Sequence, residues 1–332
     1  MTNASAVQPA AIPGTIPGSQ AETPRDDLVE PAPHGEEVRR YLAGAVGVHI
    51  GSRACRVAAS FDRAQIARAP LPSGVAAACE TIVATVKHVE HRPRFVVVGT
   101  PGHVDRTTGV VAGAANLGPE WQGVVPLGRL LADRLGCDVE VRNNADVSLE
   151  AEKRRGALIA VNDGALITLS NGIGVALLVN GRDQPTELGH SVLQFDGRQC
   201  PGRPHRGCFE SYLGGRVLAE RYRELHPGFT GRGARQIPDD PEFWADYGAR
   251  LGELVVQLCL LGQPMEVVSL TGPIAHTRHR RLLPAVRARV EVEAALLGTV
   301  PRRVVVTPLG DDIAVVGALL VARNLLFPFQ DS

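Results

Sequence analysis

The sequence predicts an α/β protein made of two related halves. Three observations carry that prediction. The chain has 332 residues, 44% hydrophobic and only 4% aromatic, enough for one large core or two ordinary ones built from Val, Leu, Ile and Ala. Its apolar runs are short and bounded by Gly and Pro, as buried strands are, and they alternate with longer stretches of helical spacing. One order of elements occurs twice: a glycine-turned hairpin, a helix, and a strand that closes in Gly.

Residues 1–40 stand outside this pattern. Pro9, Pro13, Pro17, Pro24, Pro31 and Pro33 lie there among Ala, Ser, Thr and Gln. Such a segment buries too little apolar surface to offset chain entropy, so a disordered tail is predicted. The first half is expected over 42–156, completed by the last helix at 314–328, and the second over 157–313. Strands are predicted at 44–50 and 55–61 around a tight turn at Gly51 and Ser52, with a third at 65–71. Residues 73–91 carry helical spacing at Val75, Ala78, Ile82, Val83 and Val86. Residues 94–99 (RFVVVG) read as a strand buried on both faces and closed by Thr100, Pro101 and Gly102. A helix at 126–135, a strand at 139–141 and a helix at 145–155 follow.

The order then begins again. Strands at 165–169 and 175–179 flank the turn Ser170-Asn171-Gly172-Ile173-Gly174. Helices are expected about 209–224 and 241–261. A strand at 267–270 ends in Thr271 and Gly272, and a helix at 280–297, a strand at 303–306 and a last apolar helix at 313–326 complete the chain. Where two such halves face each other, a ligand cleft is expected.

Composition excludes several classes. Lys+Arg and Asp+Glu are 35 each, so the net charge is zero, and the overall field attracts neither a nucleic-acid backbone nor an anionic membrane. No run reaches the ~18–20 apolar residues of a membrane helix. The N-terminus lacks the basic start and apolar block of a secretory signal. Six cysteines are too few for a disulfide framework, and Cys55, Cys79, Cys137 and Cys259 sit in apolar surroundings as small core residues. A soluble, cytoplasmic protein is expected.

The residues stop being generic at 186–215, TELGHSVLQFDGRQCPGRPHRGCFESYLGG. The pieces Glu187-Leu188-Gly189-His190 and Gly207-Cys208-Phe209-Glu210 follow Val98-Gly99-Thr100-Pro101-Gly102-His103-Val104-Asp105 and Ala115-Asn116-Leu117-Gly118. They precede Leu309-Gly310-Asp311-Asp312 and Val316-Gly317-Ala318. In this order, from about 42 to 326, the chain resembles the ROK family of repressors, open reading frames and sugar kinases. The resemblance implies an actin-like (RNase H-like) duplication, two α/β domains with sugar and nucleotide meeting in the interdomain cleft.

It also assigns residues. Asn143, Glu187, His190 and Glu210, with Asn116 added, fall where the family hydrogen-bonds sugar hydroxyls. The family's catalytic N-D-x-N reads Asn143-Asn144-Ala145-Asp146 here. Asn144 takes the place of the base, and a carboxamide does not accept a proton at neutral pH. Asp146 is either a substitute base or a first-turn residue favoured by the helix dipole. The first phosphate hairpin, D-x-G-G-T in the kinases, reads His49-Ile50-Gly51-Ser52-Arg53. Gly51 keeps its place, Ser52 replaces a glycine, and His49 is a poor ligand for magnesium and reads as a strand-end residue. Gly172 and Gly174 stand in the second phosphate hairpin. Gly272 is what remains of a glycine pair beside adenosine, with Pro273 either near the nucleotide or simply opening a helix.

The family's zinc site pairs this His with three cysteines. Here His190, Cys200 and Cys208 remain, with His205 inside the C-x7-C loop. These four make a closed structural zinc set over 190–208. The other reading is two reduced thiols in a Gly/Pro-rich loop. The function expected is a sugar-kinase-like protein that binds a hexose or N-acyl hexosamine with weak or absent phosphoryl transfer. One alternative is a hexose or aminosugar kinase using ATP and magnesium with Asp146 as base. Another is a sugar-responsive regulator acting through protein contacts. The partner expected is a small-molecule sugar. Direct nucleic-acid binding is not expected, since 1–40 is too short and Pro-rich for a helix-turn-helix module, nor is a membrane. A homo-oligomer is expected by family analogy.

Overall fold

A computed structural model describes residues 43–260, 265–297 and 301–327. The predicted tail at 1–40, and Leu42 and Pro328 at the edges of the predicted first half, lie outside the described residues.

Strand β1 (Ala45–Ile50) turns into β2 (Ala54–Ala58) and then β3 (Ala67–Pro70), both antiparallel. Helix α1 (Val75–Val89) leads to β4 (Phe95–Thr100), which lies parallel to β1. A small antiparallel sheet of β5 (His103–Asp105), β6 (Val110–Ala112) and β7 (Val124–Val125) precedes α2 (Leu127–Leu135). Strand β8 (Asp138–Asn143) adds parallel to β4 and runs into α3 (Asn144–Arg155). The first sheet therefore has the order β3-β2-β1-β4-β8.

The second sheet repeats it. Its strands are β9 (Gly164–Leu169), β10 (Ile173–Val179) and β11 (Arg182–Thr186), then, after α4 (Glu210–Leu213), α5 (Gly215–Leu225) and α6 (Pro241–Cys259), β12 (Val267–Thr271). Helix α7 (Pro273–Leu297), β13 (Arg303–Val306) and α8 (Ile313–Leu326) follow. The order is β11-β10-β9-β12-β13, with two antiparallel pairings on one side of β9 and two parallel pairings on the other. The same five-strand pattern twice is the expected duplication.

Strand periodicity explains the layers. On β1, Val46, Val48 and Ile50 face α1 and α2 through Ala78, Ile82, Leu127 and Leu131. Ala45 and its neighbours on β2 and β4, Ala58 and Val97, face Val315, Ala318 and Leu319 of α8. Gly47 on that face admits the helix closely: a Cβ there would lie 2.6 Å from the Val315 carbonyl oxygen. Helices α3 and α8 also pack on the second sheet, Ala145, Leu149, Val316 and Leu320 against Leu166, Ala176 and Leu178. They are thus held between the two sheets, which accounts for an α8 apolar on all sides. The far face of the second sheet is covered by α6 and α7, with Tyr247, Leu251, Val255, Leu282 and Val286 in the core.

Several boundaries differ from expectation for local reasons. The strand expected at 55–61 ends at Ala58. The helix expected at 209–224 breaks at Gly214, whose extended ψ of 134° separates α4 from α5. The helix expected from 280 begins at Pro273, which needs no N–H partner in a first turn. Residues 182–186, for which no strand was expected from the sequence, form edge strand β11, where Pro185 is tolerated because edge positions need not donate. Strands β5 to β7 have two or three residues each, too short to show a period. No described helix is long and apolar enough to cross a membrane.

Candidate functional site

A cleft of about 460 Å³ opens where the ends of β4 and β8 face the β9–β10 turn. Residues of both halves line it: Asn116, Asn143 and Asn144 from the first; Gly172, Gly174, Glu187, His190 and Glu210 from the second. Asn143 ends β8 and caps α3. Its Oδ1 accepts the Ala145 N–H at 2.8 Å, and its Nδ2 donates to the Gly102 carbonyl at 2.9 Å. An amide has two donors and two acceptor sites, so one of each is left for a ligand. Asn144 donates from Nδ2 to the Ile50 carbonyl at 3.1 Å, while its Oδ1 is buried without a partner among the described residues.

Glu210 opens α4 at 8% exposure. Its Oε2 accepts the Ile173 N–H at 3.0 Å, and burial pushes the carboxyl up against the opposing pull of His190. The identity of Gly172 follows, because a Cβ there would overlap Glu210 Oε2. Glu187, half-exposed, accepts from Arg203 Nη2 at 2.8 Å, and His103 Nδ1 lies 3.7 Å from its other oxygen. Asn116 Oδ1 accepts from Arg216 Nη1 at 3.1 Å, a contact between the two halves. His103, Arg203 and Arg216 line the cleft too. None of the three has a role assigned from the sequence: His103 appears only as part of the 98–105 piece, and Arg203 and Arg216 belong to no motif. A neighbouring cavity of about 310 Å³ shares Gly113, Ala115, Gly202, Arg203 and Pro204 with the cleft.

Other predicted residues lie elsewhere. Asp146 pairs with Arg106 Nη2 at 2.8 Å and is not among the residues lining the cleft. Gly51, Ser52 and Gly272 do not line it either. Gly51 closes the β1–β2 hairpin with its N–H on the Ala54 carbonyl. Gly272 has φ +95°, and a Cβ would overlap the Leu169 carbonyl, so the backbone alone demands glycine there. At the end of β1, Arg56 lies 3.2 Å from His49 Nδ1. Burial first, and the Arg56 guanidinium second, push the His49 pKa down to about 3. Asp312 nearby is paired with Arg68 at 2.9 Å and Arg56 at 3.4 Å. A neutral imidazole and a doubly engaged carboxylate do not fit a magnesium ion, which takes free oxygen ligands.

The thiol loop is different. The donor atoms of His190, Cys200, His205 and Cys208 lie within 4.8 Å of one another. His190 Nδ1 is 3.6 Å from Cys200 Sγ and 3.8 Å from Cys208 Sγ. Tetrahedral zinc, with bonds near 2.0–2.3 Å, places its donors about 3.3–3.8 Å apart. His205 Nε2 is buried with no partner among the described residues. The loop sets this up by folding back, with the Cys200 N–H on the His205 carbonyl at 3.0 Å and a bridge between Val192 and Cys208. The hydrogen bond between the two thiols pushes the Cys200 pKa down, helped by His190 and opposed by burial, while the same bond and burial push that of Cys208 up. The four residues fit zinc.

The ROK family model matches residues 45–324. The chain belongs to the ROK family. It is 36% identical over 157 residues to a glucokinase from Thermotoga maritima, covering 44% of this chain and 48% of that protein. It is 27% identical over 196 residues to one from Streptomyces coelicolor, covering 56% and 60%. A polyphosphate glucokinase from Mycobacterium tuberculosis is 36% identical over 137 residues, covering 40% and 49%. The chain spans about half the length of the curated relatives it matches. Among solved structures, a ROK family glucokinase from Streptomyces griseus in complex with glucose and AMPPNP superposes with TM-score 0.70 at 22% identity, covering 84% of this chain and 99% of that one. A ROK hexokinase from Thermus thermophilus does so with TM-score 0.68 at 23%, covering 83% and 97%. This is the actin-like ATPase fold, and the chain is a ROK sugar-kinase-like protein.

Proposed function

We propose that this ROK protein binds a hexose or N-acyl hexosamine in the cleft, through Asn116, Asn143, Glu187, His190 and Glu210, and transfers phosphoryl groups slowly. The observation that carries the reading is the convergence of these five side chains, from both halves, on one cleft. Sugar hydroxyls leaving water need such paired donors and acceptors. The relatives named glucokinase, and the neighbour solved with glucose, support the ligand class.

Slow transfer rests on Asn144. Asn144 lines the cleft, and a carboxamide cannot take a proton from an attacking hydroxyl. The magnesium-and-ATP reading with Asp146 as base is weakened by the Arg106 pair and by the donors around His49. Zinc, bound by His190, Cys200, His205 and Cys208, would cross-link the loop beside Glu187 and Glu210 and supply no chemistry of its own. The absence of a disulfide at any of the six cysteines suits a reducing cytoplasm.

Calorimetry over a panel of neutral hexoses and N-acyl hexosamines, beside a coupled ADP-release assay, tests the reading. Sugar heat with little turnover is expected. The absence of heat from every sugar overturns the binding reading, and ordinary kinase turnover overturns slow transfer.

A further inference from the structure

Arg216 is the charge in the cleft that the sugar reading does not use. It is the second residue of α5, and its own N–H donates to the Asn171 carbonyl at 3.2 Å, which seats it on the β9–β10 turn. Its guanidinium makes neutral contacts: Nη1 to Asn116 Oδ1 at 3.1 Å and Nη2 to the Pro201 carbonyl at 3.4 Å. Among the described residues no carboxylate pairs with it. Arg203, the other arginine of the lining, is matched by Glu187 at 2.8 Å. Glu210, whose Oε2 accepts the Ile173 N–H, is near enough to interact with the Arg216 charge but forms no ion pair with it.

Its position adds a second argument. Asn116 lines the main cleft and Pro201 the neighbouring cavity of about 310 Å³. The guanidinium therefore sits at the junction of the two spaces. The two spaces share Gly113, Ala115, Gly202, Arg203 and Pro204, so a substituent on a hexose in the main cleft would point toward Arg216 if it extended into the neighbouring cavity. A planar guanidinium, always charged and with five donors, is suited to a carboxylate or phosphate group.

We infer that the cleft takes an anionic hexose, a sugar bearing a phosphate or carboxylate group that pairs with Arg216. This rests on the proposed sugar site and narrows its ligand class. The sugar ring occupies the polar residues already described, and the anion replaces the neutral partners of Arg216.

Calorimetry with the full chain tests it, using glucose, glucose 6-phosphate, glucuronate and inorganic phosphate as probes. At least one of the two anionic sugars is expected to bind about tenfold or more tightly than glucose, as a charge-assisted contact implies. Which of them does so identifies the anion. Inorganic phosphate should bind far more weakly than the preferred sugar. Arg216→Gln should erase the preference, and Arg216→Glu should reverse it. Arg216 is exposed, and a thermal melt confirms that both variants fold. Equal affinity for glucose and both anionic sugars, or a preference that survives Arg216→Gln, overturns the inference and leaves the sugar site standing. Inorganic phosphate binding as tightly as the preferred sugar also overturns it. No heat from any of the sugars fails the sugar site itself.

Discussion

Asp146 is turned toward Arg106, 2.8 Å away on the loop after β5, while Asn144, two residues earlier on α3, faces the cleft. Residues two apart lie about 200° apart around a helix and do not share a face. The carboxylate nearest in sequence is therefore on the wrong side of α3 to act as base. Restoring Asp at the position itself is the direct remedy. Asn144→Asp should raise any residual kinase rate by up to about a hundredfold. Asp146→Asn should leave the rate within about twofold and cost at most about 1 kcal/mol from its partly exposed ion pair. A coupled ADP-release assay on both variants reads the rates. Loss of turnover in Asp146→Asn would reverse the assignment.

His49 ties this region to pH. Its folded pKa of about 3 lies below the ordinary imidazole value of 6.5. The unfolded chain therefore binds the proton more readily, and His49 contributes stability that is full above pH 6.5 and lost as pH falls toward 3. The loss from this group is at most about 1.4 kcal/mol per pH unit. His49→Gln keeps an acceptor for Arg56 and removes the titration. Urea melts between pH 7 and 4 should fall less steeply for the variant than for the parent chain.

Much of this was legible in the sequence, because it depended on local pattern. The hairpin around Gly51, the run 94–99 and the turn 170–174 each carry their own signal. The duplication was readable as a repeated order of elements. What escaped depends on tertiary placement. Strand β11 is polar and edge-bound, and β5 to β7 are too short for periodicity. In the site, Asn143 was legible by resemblance, yet its capping of Ala145 and its bond to Gly102 are visible only in three dimensions. Gly172 and Gly272 were read for phosphate and nucleotide, whereas packing against Glu210 and against the Leu169 carbonyl accounts for both. Arg216 was silent because its partners, Asn116 and Pro201, are remote in sequence.

Zinc should copurify at about one ion per chain, held by four N and S donors. His205→Ala removes one of the four proposed ligands and should lower the zinc content and the melting temperature together. Stripping the metal with chelator should weaken sugar binding as well, because His190 belongs to both the proposed zinc set and the proposed sugar site, and Glu210 follows Cys208 by two residues. Elemental analysis of protein purified without chelator decides the first point. Zinc near zero with freely titratable Cys200 and Cys208 would remove the assignment.

Glu210 and Gly172 should act as one unit. The carboxylate sits against Gly172 and is fixed by the Ile173 N–H at 3.0 Å. Glu210→Gln keeps the shape but weakens the charged acceptor, and should cost about 1–3 kcal/mol of sugar binding. Gly172→Ala puts a methyl group where Oε2 lies, so the carboxylate must swing away, and sugar binding should fall by a similar amount. Because both changes disable the same oxygen, the double variant should lose little more than either single one. Independent sites add to within about 0.3–0.5 kcal/mol, and neighbours in contact do not. A double-mutant cycle read by calorimetry gives the coupling directly. Additive losses would mean that Gly172 serves the ligand by a route of its own, such as close approach of a phosphate, and does not serve it through Glu210.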